Sequence, residues 1–321
     1  MSRVLITGAA GFIGAALATR LRADGHTVVG VDRVAAPGAG VVAGDTTAPE
    51  AWAAHLAGCH AVIHTAAVVS NAVGLAEQWR VNVLGTQRVF AAARAAGVPR
   101  GLLLSSVRAF SDLGFPDGVT EEHPVRPDGN PYVDTKIASE HVALRAHAAG
   151  EIDAVIIRPG DVYGPGSVPW VLKPLDAIRD RQFLLPAMGR GIHSPVYVDD
   201  LVDGVLLALW HPAAAGQIFT LAGPRGVPSQ EYFGHLFRML GRRGPVGIPT
   251  APAVALAHAA DAINRARGRR SDINAVSMRY LARTGTYSID KARRVLGYAP
   301  AVELDEGMRR TEAWLRAEQL L

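Results

Sequence analysis

The chain has 321 residues, 49% of them hydrophobic, which suffices for a substantial core and, at roughly 150 residues per domain, for about two lobes. Its 33 basic and 29 acidic side chains are interspersed, so the net charge of +4 does not describe a nucleic-acid surface, and the one local basic cluster, RARGRR at 265–270, reads as a solvated loop rather than a binding patch. The single cysteine, Cys59, excludes an internal disulfide, and the most apolar late stretch, APAVALAHAADAI at 251–263, is shorter than the roughly 18 to 20 residues of a spanning helix and carries His258 and Asp261. Met1 leads into SRVLITG rather than a charged segment with an apolar core. The expectation is a cytoplasmic protein with no transmembrane segment, no nucleic-acid partner and no metal.

In chain order, RVLIT at 3–7 is a short apolar run ended by glycines, AALATRLRADG follows with helical periodicity, and HTVVGVD turns β-branched again. That is one βαβ unit. The alternation continues through HAVIHTA at 60–66, a helix over about 75–96, GLLLSS at 101–106, a helix over about 131–149 and DAVIIRP at 153–159. Such alternation predicts an α/β protein with a parallel sheet covered by helices. After Pro159 the pattern degrades into the Gly/Pro-rich GDVYGPGSVPW, followed by the islands SPVYVDDL and GQIFTLAG and helical runs near 229–240 and 304–318.

The segment TGAAGFIG, Thr7 to Gly14, stands between the first strand and the first helix. There Gly8 permits a tight turn, Gly11 lets the backbone approach a pyrophosphate, Gly14 allows close helix packing, and the helix N-terminus offers N–H donors. Asp32 ends the second strand about 20 residues further on, where a carboxylate accepts both hydroxyls of an adenosine ribose. A packing-only glycine turn with an exposed loop acid is the bland alternative. The expected fold is thus a Rossmann-type doubly wound sheet: residues 1–163, with returning segments about 194–221, bind the dinucleotide, and 164–193 with 222–321 form a smaller, discontinuous substrate lobe. Asp32 would repel a 2'-phosphate, which favours NAD over NADP, although the Arg33 guanidinium could reach such a phosphate. Asp45, in AGDTT, either accepts from the adenine amino group or caps the helix beginning near Pro49.

Tyr132 and Lys136, in PYVDTK, are spaced to share one helix face. An adjacent ammonium would stabilise a phenolate and lower a phenol whose ordinary pKa is about 10, making it a proton shuttle. Ser106, closing the fourth strand in LLLSSV, would hold a substrate carbonyl or hydroxyl at a strand end, where open parallel sheets bind ligands. Alone, a Tyr and Lys at this spacing are more often a surface pair.

Together these residues resemble the extended short-chain dehydrogenases/reductases of the NAD-dependent epimerase/dehydratase superfamily. The similarity covers nearly the whole chain: TGAAGFIG, Asp32, GD at 44–45, HTAA at 64–67, VNVLGT at 81–86, SSV at 105–107, YVDTK at 132–136, RPGDVYGPG at 158–166 and LGYAP at 296–300. The resemblance implies Ser106, Tyr132 and Lys136 as the catalytic trio, with Lys136 also on the nicotinamide ribose. It further implies cofactor contacts from Phe12, Ile13, Ala66, Ala67, Ser105, Pro159 and Val162. Asn82 would support the cofactor side, or serve as a cap or packing polar. A small-molecule substrate and a homodimer are the expected partners.

Two positions depart from the nucleotide-sugar epimerase and dehydratase pattern. Asp161 stands where those relatives usually carry Asn, and His193 where they commonly carry an Arg for the substrate pyrophosphate. An acid at 161 would oppose a diphosphate, unless Arg279 or Arg283 folds over the cleft to compensate. His193 reads equally as a loop residue. RTGTYSIDKARRVLGYAPAVELDEGMRRTEAWL at 283–315 resembles the C-terminal region of the 3-beta-hydroxysteroid-dehydrogenase-like branch. Residues 251–263 read as the lobe's own core helix before a substrate contact, and Val107, Trp170 and Phe183 as pocket lining or core. The expected function is therefore NAD(P)-dependent interconversion of a secondary alcohol and a ketone on a small or hydrophobic substrate, with steroid-like molecules within that class. A nucleotide-sugar epimerase or dehydratase is the alternative, and a dinucleotide sensor without chemistry the minor one.

Overall fold

Residues 1–112, 116–268, 271–272 and 274–321 are described by the structure, a computed structural model. Arg269 and Arg270 of the basic cluster lie outside them. Strands β1 (Arg3–Thr7), β2 (Thr27–Asp32), β3 (Val41–Ala43), β4 (Ala61–His64), β5 (Arg100–Leu104), β6 (Asp153–Pro159) and β11 (Ile218–Leu221) form a seven-stranded sheet in the order β11-β6-β5-β4-β1-β2-β3. Every pairing in it is parallel. The order reverses between β1 and β4, and the crevice at such a switch point is where open α/β sheets take ligands.

Alternate strand residues enter opposite cores, as the period of two requires. Val4, Ile6, Ile63, Leu102 and Ile157 join Leu17 and Leu21 of helix α1 (Phe12–Ala23) and Leu201 and Val205 of helix α6 (Val198–Trp210). Leu5, Val62, Leu103 and Ile156 face the other way, onto Val89 and Phe90 of α3 (Gly85–Ala95) and Ala143 of α4 (Pro131–Ala148). Burial on both faces explains why these strands read as continuous apolar runs. The helix expected over 75–96 runs unbroken from Leu75 to Ala95, as α2 (Leu75–Gln78), a π-helical stretch, Trp79–Leu84, and then α3.

Beyond Pro159 the chain builds short ladders instead of a second sheet. β7 (Asp161–Tyr163) pairs with β10 (Pro195–Tyr197), β8 (Leu184–Leu185) with β13 (Val246–Gly247), and β9 (Ile192–His193) with β12 (Val227–Pro228). Around them lie α5 (Lys173–Arg179), α7 (Ser229–Met239), α8 (Thr250–Ala266), α9 (Ala275–Leu281), α10 (Asp290–Leu296) and α11 (Leu304–Ala317). The core-helix reading of 251–263 holds only on one face: α8 packs Ala253 and Ala257 against Ala275 and Met278, while Leu256 and Ile263 are 55% and 52% exposed. Among the described residues, no helix is long and apolar enough to cross a membrane.

Candidate active site

A cavity of about 800 Å³ opens at the C-terminal ends of the parallel strands and runs from the glycine turn to α8 and α9. Its first half is made of backbone turns. Gly8 adopts φ +74°, and a Cβ there would lie 2.7 Å from the Ala66 nitrogen; a Cβ on Gly14 would lie 2.1 Å from the Gly8 carbonyl oxygen. Only glycine fits either place. Gly11 is the N-cap of α1, with no side-chain cap and no acid in the first turn, so the N–H groups of this cavity-lining turn carry no intrahelical or capping partner. That arrangement fits the pyrophosphate of a dinucleotide, and Phe12, Ile13, Ala66, Ala67, Pro159 and Val162 line the same space.

Asp32 and Arg33 line it at the tip of β2. The Asp32 carboxylate accepts from the Ala10 N–H at 3.0 Å and the Arg33 N–H at 2.7 Å, which aims it across the crevice while the Arg33 side chain stays exposed. Asp45 also lines the cavity, and it accepts from the Thr47 N–H and hydroxyl, each at 2.8 Å. Burial pushes its carboxyl up, but these bonds and Arg80 hold it below the ordinary range. The cap alternative for Asp45 fails, because the 3₁₀ turn at Pro49 takes Ala48 as N-cap. Asn82 is buried away from the cavity wall in the π-helical turn. Its side chain accepts from the Val68 N–H at 2.7 Å and donates to the Val68 carbonyl and the Thr135 hydroxyl, so it fixes the backbone loop that does line the wall.

The middle of the cavity holds Ser105, Ser106, Tyr132 and Lys136. Asn130 caps α4 by accepting from the Tyr132 N–H at 3.0 Å, and Pro131 starts the helix, so the first turn presents Tyr132 to the strand ends with Lys136 one turn on. Lys136 Nζ donates to the Leu104 carbonyl at 2.8 Å and lies 5.8 Å from the Tyr132 ring centroid. The Ser106 Oγ accepts from the Arg108 N–H at 3.1 Å. Beneath them, Glu140 accepts from Ser105 at 2.6 Å and from both ends of the Arg158 guanidinium at 2.9 and 2.6 Å, a buried pair joining α4 to β5 and β6.

The electrostatics correct one expectation. Burial pushes the Tyr132 phenol above its ordinary value, and what opposes burial is foremost the Arg108 guanidinium, then the Ser106 hydrogen bond. Lys136 itself is brought down to about 8 by burial, against the pull of Glu140. Its ammonium is turned to the Leu104 carbonyl, and desolvation of the phenolate is the largest influence on Tyr132.

The second half of the cavity is apolar, with Trp170, Phe183, Phe233, Ala257, Met278 and Leu281 in its wall. Asp161 reaches this wall but is not a free carboxylate. It is 2% exposed, pairs with Arg283 at 3.1 Å, accepts from the Ser194 N–H at 2.9 Å and receives the Tyr280 hydroxyl. Burial alone would push its carboxyl up; the His193 imidazole, Arg283, Tyr280 and Ser194 together hold it low. The expectation that Asp161 would oppose a diphosphate therefore loses its basis, because Arg283 neutralises the charge. His193 does not line the cavity. It is buried 3.3 Å from Asp161, between the rings of Trp170 and Tyr232, and burial brings its imidazole down to about 4. Val107 is likewise core, packed with Phe110, Val119 and Tyr287, and Arg279 is exposed outside the wall.

Arg108 and Tyr280 belong to the wall and were not anticipated. Arg108 stands two residues after Ser106, so its place beside the strand end carried the signal. Tyr280 and Asp161 are 119 residues apart, and no local pattern links them.

The sequence signature of the NAD dependent epimerase/dehydratase family matches residues 4–222. The chain belongs to this family. The matched span takes in all seven strands of the main sheet and the cofactor-side turns, and it ends before α8 and α9. The chain is similar to the 4-hydroxy-2-methyl-3-oxo-4-farnesyl-3,4-dihydroquinoline-1-oxide ketoreductase of Stigmatella aurantiaca, at 32% identity over 95% of this chain and 94% of that protein. It is also similar to the 3 beta-hydroxysteroid dehydrogenase/Delta 5→4-isomerase of Mycobacterium tuberculosis, at 28% identity over 94% of this chain and 86% of that protein. Among solved structures it resembles MoeE5 in complex with UDP-glucose and NAD, with a TM-score of 0.79 and 27% identity over 99% of both chains.

Proposed function

We propose that this family member is an NAD-dependent oxidoreductase that interconverts a secondary alcohol and a ketone on an apolar substrate, with Ser106, Tyr132 and Lys136 as catalytic residues. The observation that carries the substrate class is the charge state of the distal half of the cavity. Its wall is apolar, and the cations that reach or back it among the described residues are already paired: Arg108 with Asp112, Lys173 with Asp272 at 2.5 Å, and Arg283 with Asp161. A pyrophosphate needs fixed donors and uncommitted positive charge, whereas an apolar body gains from burial against Phe183, Phe233 and Met278. The relatives named for a ketoreductase and a hydroxysteroid dehydrogenase support the same class.

NAD, when bound along the glycine turn with its ribose at Asp32, supplies the hydride acceptor. Ser106 holds the substrate oxygen by a hydrogen bond. Tyr132 Oη takes the hydroxyl proton as the alcohol is oxidised and returns it when the ketone is reduced. Lys136, reaching from α4 toward the strand ends, holds the cofactor ribose and keeps positive charge near the phenolate. The apolar wall excludes water from these groups.

The likeness to MoeE5 favours a second reading, a nucleotide-sugar epimerase or dehydratase, and the neutralised Asp161 does not argue against it. Two measurements separate the readings. Apolar secondary alcohols are expected to produce NADH absorbance and Tyr132→Phe to lower that turnover by roughly 100-fold or more with NAD affinity kept. UDP, dTDP and GDP sugars at millimolar concentration are expected neither to turn over nor to raise the melting temperature; stabilisation by several degrees would promote the second reading.

A further inference from the structure

Resting on that reading of Tyr132, we propose that Arg108 is the positioning residue that stabilises the charged form of the Tyr132 phenol, a role the spacing of Tyr132 and Lys136 had assigned to the lysine alone. The guanidinium lies between two rings, 5.0 Å from the centroid of Tyr132 and 5.0 Å from that of Tyr280. It is held there from two sides, by Asp112, which accepts from Nε at 2.8 Å and from Nη2, and by Asn71 Oδ1, which accepts at 3.1 and 3.2 Å.

The arrangement closes on itself. Asp112 also accepts from Asn130 Nδ2 at 3.1 Å, and Asn130 is the cap that accepts from the Tyr132 N–H. Arg108 in turn donates its own N–H to Ser106 and stands over the Tyr132 ring. Cap, acid, cation and phenol therefore form one ring of contacts, and the distance between guanidinium and phenol is set at both ends. A fixed charge in a desolvated site acts without reorganisation, which is where electrostatic effects are largest. Lys136 lies farther from the ring and is committed to the Leu104 carbonyl.

The charged and titratable groups facing Tyr132 are Arg108 from the 3₁₀ turn after β5, Lys136 from its own helix, Asp112 from the following loop, Asp161 from β7 and Tyr280 from α9, the last reaching it through Arg108. Arg108 favours the phenolate, and Asp112 and Asp161 disfavour it. Near-isosteric changes at Arg108 and Asp112 must then move the phenol in opposite directions, which a loss of packing cannot do.

The test is a tyrosinate absorbance titration of the full chain, each form paired with its Tyr132→Phe counterpart so that the difference isolates Tyr132. Asp112→Asn is expected to lower the Tyr132 midpoint by about one pH unit, equivalent to about a tenfold gain in phenolate at a given pH. Arg108→Met is expected to raise it by a similar amount or beyond the alkaline limit of the fold, and Arg108→Lys to keep most of the wild-type position. If Arg108→Met does not fold, Asp112→Asn and Arg108→Lys still decide. An unmoved midpoint in Asp112→Asn, or a shift of the same sign in Asp112→Asn and Arg108→Met, overturns the proposal. The titration needs no substrate, so it can fail while the activity assay of Tyr132→Phe stands, and the reverse.

Discussion

The two halves of the cavity are built on different principles. The cofactor half is made of strand ends and turns whose donors are backbone N–H groups, and each residue is placed by the strand or helix it terminates. The distal half is made of side chains brought together from Trp170, Phe183, Phe233, Ile248, α8 and α9, tied to the sheet by one buried cluster of Asp161, Tyr280 and Arg283. A backbone cradle accepts the same dinucleotide whatever the substrate. A wall of side chains on irregular segments is free to take a different substrate without disturbing that cradle.

The sharpest way to break this division is Arg283→Met. It leaves the Asp161 carboxylate buried without its guanidinium and is expected to cost about 3–5 kcal/mol in denaturant unfolding, with less cost when Asp161→Asn is added to the same chain. An additive pair would mean the ion pair does not tie the lobe. Ala257→Trp places bulk in the apolar wall. It is expected to lower kcat/KM for large apolar ketones by roughly 100-fold while small ones and NAD affinity are spared, since blocked volume rather than lost chemistry is the cause. Equal losses across a size series would place the substrate elsewhere.

On the cofactor side, Asp32→Ala is expected to narrow the preference for NAD over NADP by about tenfold in a fluorescence titration, because the carboxylate that repels a 2'-phosphate is gone. An unchanged preference would hand the discrimination to Arg33.

A pH-dependent effect concerns His64, whose ring nitrogens pair with the Thr7 and Thr86 hydroxyls at 2.6 and 3.1 Å. Burial, and then the Lys136 ammonium, bring its imidazole down to about 3 from 6.5. As pH falls from 6.5 toward 3, the unfolded chain takes up a proton that the folded chain refuses, so stability present above 6.5 is progressively lost. His64→Asn is expected to flatten that slope by about 1.4 kcal/mol per pH unit. An unchanged acid limb would show that His64 does not stay neutral in the folded protein.

The sheet and the glycine turn were legible in the residues alone, as was the placing of Asp32, Ser106, Tyr132 and Lys136 at strand ends and on one helix face, because those features have short periods: alternation along a strand, one turn of a helix, and a turn between the two. The reading of Asp161 as an acid that opposes a diphosphate left open whether Arg279 or Arg283 compensates it, and a sequence alone does not settle that choice. The folded chain alone shows that Arg283 neutralises Asp161 from 122 residues away, that His193 and Val107 are core, and that α8 walls the cavity as well as packing on α9. It also decided that Arg108, and not Lys136 alone, faces the phenol. Charge compensation and burial depend on distances in space between residues far apart in the chain. No periodicity encodes those distances, so they exist only once the lobe has closed over the sheet.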